Sequence, residues 1–322
     1  MNKFPPSALL RGRLPPAIAA GLLLAAAFPG IGVAGFAWIA PGLILATALG
    51  KRGRESFRLG YLAGLAHYLL SLSWLLHIPY RWNGIPLGPA LGWLALSAFL
   101  ALFPATWTWL SIKGSGSEGQ GSGEETWLAA ATSLSASPWS RRLRWTLFCA
   151  ATWVALEMIV ARIFGGFPWN LLAASQYRIV PLLQIASFTG VYGVSFLIAW
   201  TSMSLLCAFL VILRRPAMRS VWLGEIILPL AAVIAAFGFG FHQLKHPPAA
   251  NRELKITMVQ PSIPQTLIWD RTNDLARFQN LIQLSEEALT NPTDLLIWPE
   301  AGVPGYVNWD TNFYAPIAEL AR

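Results

Sequence analysis

Along the first 245 residues, polar positions fall in short clusters between long apolar runs at about 14–28, 33–50, 57–78, 88–112, 145–164, 183–213 and 221–241. A helix needs roughly 20 apolar residues to cross a ~30 Å hydrocarbon core, and most of these runs reach that length. The pattern predicts about seven transmembrane helices in a membrane domain over 1–245. The first run is short. Lys3, Arg11 and Arg13 before it and Ala25-Ala26-Ala27 behind it resemble a signal peptide, but a helical hairpin turning at Pro29-Gly30 is preferred. Either reading leaves the later topology unchanged.

The pattern changes at His246-Pro247-Pro248, which reads as a linker. Leu254 to Val259 alternates as a half-buried strand does. Gln260-Pro261 ends it, and a loop runs through Ile263-Pro264-Gln265 to Trp269-Asp270. Leu275, Phe278, Ile282 and Leu289 make a helical stripe from about 272 to 289, and Asn291-Pro292 closes that helix. The run Leu295-Leu296-Ile297-Trp298 then reads as a buried strand, stopped by Pro299. Residues 254–322 are thus expected to open an α/β domain with a strand–helix–strand unit, its strands parallel and joined by a right-handed crossover. The final segment, Asp310 to Arg322, ends as a helix. So small a piece buries little apolar area and leaves strand edges unpaired, so it is not expected to fold alone.

Composition sharpens the membrane assignment. Only 12% of residues are charged and 55% are hydrophobic, against about 25% charged in a soluble domain. Trp, with 16 copies, collects at membrane–water interfaces. Cys149 and Cys207 both lie inside apolar runs, where they read as small core side chains. The net charge of +8 could indicate nucleic acid, but its distribution indicates a membrane instead. Lys3, Arg11, Arg13, Lys51, Arg52, Arg54, Arg58, Lys113, Arg141, Arg142, Arg144, Arg214, Arg215 and Arg219 fall on one side of the predicted topology. Only Arg81, Arg162 and Arg178 fall in the alternate short loops. Cationic loops stay cytoplasmic, so the N-terminus is expected inside and everything after residue 242 outside. The Gly- and Ser-rich stretch 113–126 reads as a flexible cytoplasmic linker.

Three places could carry chemistry. Glu300 follows the second strand of the α/β unit, at the edge where open α/β sheets bind their ligands; the bland alternative is a solvated charge. Parallel strands put the Gln260–Trp269 loop on the same edge. Glu157 is the carboxylate well inside a predicted span, where ionisable groups are costly and often functional. Arg162 lies about 140° round the helix from it and does not share its face. A structural hydrogen bond to a neighbouring helix is preferred over a substrate role. Finally, Gly165-Gly166-Phe167-Pro168-Trp169-Asn170 follows that span on the outer side. It is either an ordinary aromatic belt or the mouth of a lipid-facing site.

Val259-Gln260-Pro261, Ile263-Pro264-Gln265, Trp269-Asp270 and Ile297-Trp298-Pro299-Glu300 together resemble the start of a nitrilase-type, carbon–nitrogen hydrolase domain. Preceded by several spans, that arrangement resembles the apolipoprotein N-acyltransferase family. Gly166 to Trp169, Pro181 to Gln184 and Thr189 to Phe196 resemble the same family in the membrane half. The resemblance covers essentially the whole chain. It implies a multi-pass α-helical membrane domain followed by the start of an αββα nitrilase-like sandwich, in a bacterial inner membrane. It implies a fatty acyl chain moved from a phospholipid to the α-amine of the N-terminal diacylglyceryl-cysteine of a lipoprotein, through a thioester on the enzyme. No metal or cofactor is implied. Glu300 matches the family's general base and Trp269 an aromatic beside the pocket; Phe167 and Trp169, in the loop that could form the mouth of a lipid-facing site, are further candidates for substrate binding.

The family's triad also needs a Lys and a Cys after the Glu. Lys3, Lys51, Lys113, Lys245 and Lys255 all precede Glu300, and both cysteines lie in spans. The expectation is therefore a truncated or split form, inactive by itself. A non-catalytic membrane protein that binds lipid or lipoprotein through 165–196 is the alternative. A transporter is disfavoured, because Glu157 aside, the spans hold few of the charges and breaks that solute pathways need.

Overall fold

The computed structural model describes residues 6–78, 87–116, 124–214, 222–247, 253–268, 271–300, 302–304 and 311–321. The chain forms two compact units, with the boundary after Pro247.

The first unit is a helical bundle of α1 (Pro6–Ala26), α2 (Ala40–Ala48), α3 (Gly53–Ser71), α4 (Gly88–Leu100), α5 (Leu102–Ser115), α6 (Glu124–Ala136), α7 (Trp139–Val160), α8 (Val180–Leu183), α9 (Ala186–Arg214) and α10 (Leu223–Lys245). Four described helical segments are long and apolar enough to cross a membrane: α4 run on into α5, α7, α9 and α10. At 1.5 Å per residue the 22 residues of α7 reach about 33 Å. This is a multi-pass membrane protein. Its outer surface agrees, because Ile227, Leu230, Ile234 and Phe241 of α10 are exposed along one helical stripe. Such a stripe is a liability in water and the ordinary covering of a bundle in lipid.

Without a hydrophobic drive between helices in lipid, close backbone approach does the packing. A Cβ on Gly21 of α1 would lie 2.0 Å from the Ala63 carbonyl oxygen of α3, and one on Gly60 of α3 would lie 2.5 Å from Thr108 Oγ1 of α5. Buried indoles add directional bonds between α5 and α7. Trp107 Nε1 donates to the Cys149 carbonyl and Trp145 Nε1 to the Ser111 carbonyl, both at 2.9 Å.

One end of the bundle gathers cations. The Arg13 guanidinium donates to the carbonyls of Thr47 and Leu49 at 3.2 and 2.6 Å, and Trp127 Nε1 to that of Ala46 at 2.9 Å. Arg214 bonds Thr132 Oγ1. Arg142 Nε meets Glu225 Oε1 at 2.7 Å with both side chains buried, and the same guanidinium also holds the Ser135 and Ser137 carbonyls. Lys3, Arg81, Arg215 and Arg219 lie outside the described residues.

The local detail departs from the hydrophobic pattern in three places. The run 33–50 forms a 3-10 turn, Ala34–Trp38, and then a nine-residue α2. Pro41 sits in the first turn of α2, where proline is tolerated. The 113–126 stretch is helical up to Ser115 and again from Glu124, and 117–123 lies outside the described residues. Helix α6, which the sequence reading did not anticipate, packs against α9. α9 itself is broken at Gly190, with φ 64° and ψ −175°.

The second unit holds β1 (Ile256–Met258), α11 (Gln265–Ile268), α12 (Asp274–Leu289), β2 (Leu295–Ile297) and α13 (Thr311–Leu320). The strands are parallel, with Ile256 opposite Leu295 and Met258 opposite Ile297. Asp294 starts the ladder by accepting the Lys255 N–H at 2.9 Å. Phe278 and Leu281 of α12 are buried, and Phe278 meets Phe313 of α13 edge-on at 4.9 Å. The expectation of a buried second strand needs correction. Ile256, Met258, Leu295 and Ile297 are 50, 78, 47 and 40% exposed, all on one face of the ladder by the period-2 rule. A continuous apolar run implies cover on both faces, and this unit covers only one.

Candidate functional site

β2 ends at Ile297, and Trp298-Pro299 carries the chain to Glu300 in a turn. Trp298 Nε1 donates to Ser285 Oγ at 2.9 Å, which ties the strand end to α12. The Gly302 N–H donates to the Pro299 carbonyl at 3.1 Å and closes the turn on which Glu300 stands exposed. The parallel register brings Val259, just past β1, to the same edge, where its N–H donates to the Ile297 carbonyl at 3.0 Å. Lys255 sits at the opposite, amino end of the ladder, roughly 13 Å from Val259 along the strand at about 3.3 Å per residue. Cys149 and Cys207 are free and buried in the bundle. Among the described residues of this unit, no amine or thiol joins Glu300. Trp269 lies outside the described residues.

The second cluster follows α7. After Val160 the chain turns through Phe164 (φ 53°), Gly165 (φ 89°) and Gly166 (φ 85°). Glycine is required at 166: besides its left-handed φ, a Cβ there would lie 2.2 Å from the Ala161 carbonyl oxygen. The Phe167 N–H donates back to the Val160 carbonyl at 2.8 Å. The turn sets Phe167 and Trp169 in a stack at 5.9 Å between centroids, and Trp169 stacks in turn on Trp74 at 5.0 Å and 8°. Trp169 is 60% exposed. Asn170 Nδ2 donates to Ser71 Oγ at 2.7 Å, so the loop is tied to the end of α3. Phe167 and Trp169 are thus brought together, and Trp74 joins them.

Glu157 underlies this loop. Its Oε1 accepts the Trp153 indole N–H at 2.9 Å and the Leu172 backbone N–H at 2.6 Å. Arg162 points elsewhere, to the Met158 carbonyl and Tyr192. The expected structural hydrogen bond is present, but its partner beyond α7 is the first residue of a short 3-10 helix, Leu172–Gln176, rather than a neighbouring α-helix. Glu157 and Phe167 also line a cavity of about 40 Å³ with Phe28, His67, Tyr68 and Trp107. Sequence reasoning passed over His67 and Tyr68; the available signal was a His-Tyr pair inside an apolar run.

A bundle of membrane-crossing helices, followed by a parallel strand–helix–strand unit that ends in a carboxylate, defines a multi-pass membrane protein with a hydrolase-like α/β unit attached. Residues 20–204 match the model of the apolipoprotein N-acyltransferase N-terminal domain, and residues 255–322 match that of the carbon-nitrogen hydrolases. The first match takes in more than half of the chain, and the chain belongs to the apolipoprotein N-acyltransferase family. It is 33% identical over 312 residues to the apolipoprotein N-acyltransferase of Geobacter metallireducens, covering 95% of this chain and 54% of that protein. With that of Methylococcus capsulatus it shares 30% identity over 308 residues, 95% of this chain and 55% of that protein. The chain spans about half the length of these curated relatives.

Proposed function

We propose that these residues form the membrane part and the beginning of the catalytic domain of an enzyme of lipoprotein N-acylation in the bacterial inner membrane. The observation that carries the proposal is the order of the two family matches, membrane half first and hydrolase half second, with Glu300 at the carboxyl edge of the parallel pair. The acyl donor is a membrane phospholipid and the acceptor a diacylated prolipoprotein.

In this reading Glu300 is the general base. It takes the proton of a cysteine thiol, and the thiolate attacks the acyl ester of the phospholipid. The ester C–O bond breaks, lysophospholipid leaves and a thioester remains. The α-amine of the diacylglyceryl-cysteine then attacks the thioester, an amide forms and the thiol is restored. A lysine ammonium stabilises the tetrahedral oxyanion in both halves. The only described amine of the second unit, Lys255, is at the wrong end of the strands, and the cysteines are in the bundle. In this reading neither Lys255 nor Cys149 nor Cys207 fills those two roles, and residues 1–322 by themselves carry out no transfer.

Trp269, Phe167 and Trp169 are proposed to contact the lipid chains or the interface around them. The exposed Trp74–Trp169–Phe167 stack supports this, because aromatic rings favour the headgroup level. In this proposal the chain crosses about seven times with the cationic end of the bundle in the cytoplasm, and the α/β unit lies outside. The contacts of Arg13, Arg142 and Arg214 at one end support that orientation.

A mass assay of a diacylated lipopeptide in phospholipid membranes tests the proposal. A full-length enzyme containing residues 1–322 is expected to add a third acyl chain, and residues 1–322 alone to add none. Transfer by residues 1–322 alone, or none by the full-length enzyme, would overturn it.

A further inference from the structure

Two buried polar atoms in the bundle face one cavity with nothing to bond. Among the described residues, Glu157 Oε2 and His67 Nδ1 lack a hydrogen-bond partner, and both side chains line the cavity beneath Phe167. Glu157 is 8% and His67 2% exposed. Leaving either atom unpaired costs about 1–3 kcal/mol, and neither is free to swing away. Glu157 is pinned through Oε1 by Trp153 and Leu172. His67 is held between rings, 5.2 Å from Phe28 and 4.6 Å from Tyr68.

Two nearby polar groups already hold partners elsewhere. Asn170, which also lines the cavity, donates its amide to Ser71. Ser195 Oγ, close to the carboxylate, accepts the Ala173 N–H at 3.0 Å and keeps its O–H to donate. The rest of the wall is mainly aromatic and aliphatic. Among the described residues no hydrogen bond reaches either atom, and the cavity limits the size of anything that could bridge them. About 40 Å³ accommodates up to about three waters, at roughly 10–15 Å³ each, and no lipid chain.

We propose that this cavity is a hydration site, in which ordered water bridges Glu157 Oε2 and His67 Nδ1. With the imidazole in the tautomer that leaves Nδ1 bare, a single water donates one hydrogen to each atom. The bridge joins α3 to α7. Through the Leu172 N–H on the same carboxylate, it also braces the loop that carries Phe167 and Trp169. The inference is independent of the acyl-transfer reading.

A high-resolution crystal structure of the protein in a lipidic mesophase tests it. Solvent density is expected within hydrogen-bond distance, about 2.7–3.2 Å, of both atoms. An empty cavity, a lipid tail or side chain in it, or water touching only one of the two atoms would overturn the proposal. Thermal unfolding provides a second test with His67→Phe, which keeps the ring contacts, with Glu157→Leu, and with both together. A shared water predicts that the double variant loses no more melting temperature than the worse single one. Additive losses would contradict it.

Discussion

The Leu172 backbone N–H donates to Glu157 Oε1 at 2.6 Å across fifteen residues of chain. A carboxylate one turn from the end of α7 thereby fixes the far side of the loop that follows the same helix. Together with the Asn170–Ser71 bond, this gives the exposed aromatic stack a rigid base inside the bundle.

Removing that acceptor should be costly. Glu157→Leu leaves the Leu172 and Trp153 N–H groups without a partner and is expected to destabilise the bundle by about 2 kcal/mol or more. Glu157→Gln keeps an amide oxygen for both donors and should lose less than half as much. Thermal unfolding in detergent ranks the two. Equal losses would mean that the carboxylate charge, not its acceptor oxygen, holds the loop.

Gly166→Ala puts a methyl group against the Ala161 carbonyl at a φ of 85°, where backbone strain alone is of order 1–3 kcal/mol. Gly238, inside α10, has open space around a built Cβ. Its replacement by Ala should be neutral or stabilising, by up to about 1 kcal/mol. Melting temperatures of the two variants should move in opposite directions or by clearly different amounts.

The Arg142–Glu225 pair predicts a non-additive pattern. Arg142→Met strands a buried carboxylate and Glu225→Leu a buried guanidinium, each expected to cost about 3 kcal/mol or more. The double replacement removes both charges and should recover most of the loss. A double variant as unstable as the sum of the singles would show that the two groups act through separate contacts.

The bare face of the two-stranded ladder predicts the behaviour of the second unit by itself. A fragment of residues 253–322 exposes Ile256, Met258, Leu295 and Ile297 and has few buried side chains to offset chain entropy. It should show no cooperative unfolding by circular dichroism and should bind a hydrophobic dye. A sharp thermal transition would contradict this.

Much of the architecture was legible because it depends on local signals. The Leu275–Leu289 stripe gave α12, and Asn291-Pro292 its end. The run before Pro299 gave β2 and the position of Glu300. What was not legible depends on contacts distant in sequence. Helix α6 follows a Gly-rich stretch that masks its start, and its packing on α9 joins residues far apart in the chain. Helical phase separates Arg162 from Glu157, but it says nothing of the Leu172 N–H at the start of a 3-10 helix fifteen residues on. The exposed face of β2 escaped notice because an apolar run specifies that cover is wanted without specifying which residues supply it. Trp269, expected beside the pocket, lies outside the described residues.

The central claim is that Glu300 serves as the base of an acyl transfer, and replacing it by Gln in a full-length enzyme containing residues 1–322 tests that claim most directly. Lipopeptide acylation would be followed by mass, with membrane insertion checked in parallel. General-base catalysis contributes roughly 10²–10⁴-fold, so a loss of that size with normal insertion is the predicted result. Unchanged acylation by the Glu300→Gln enzyme would contradict the account and leave Glu300 a solvated charge at the end of a strand.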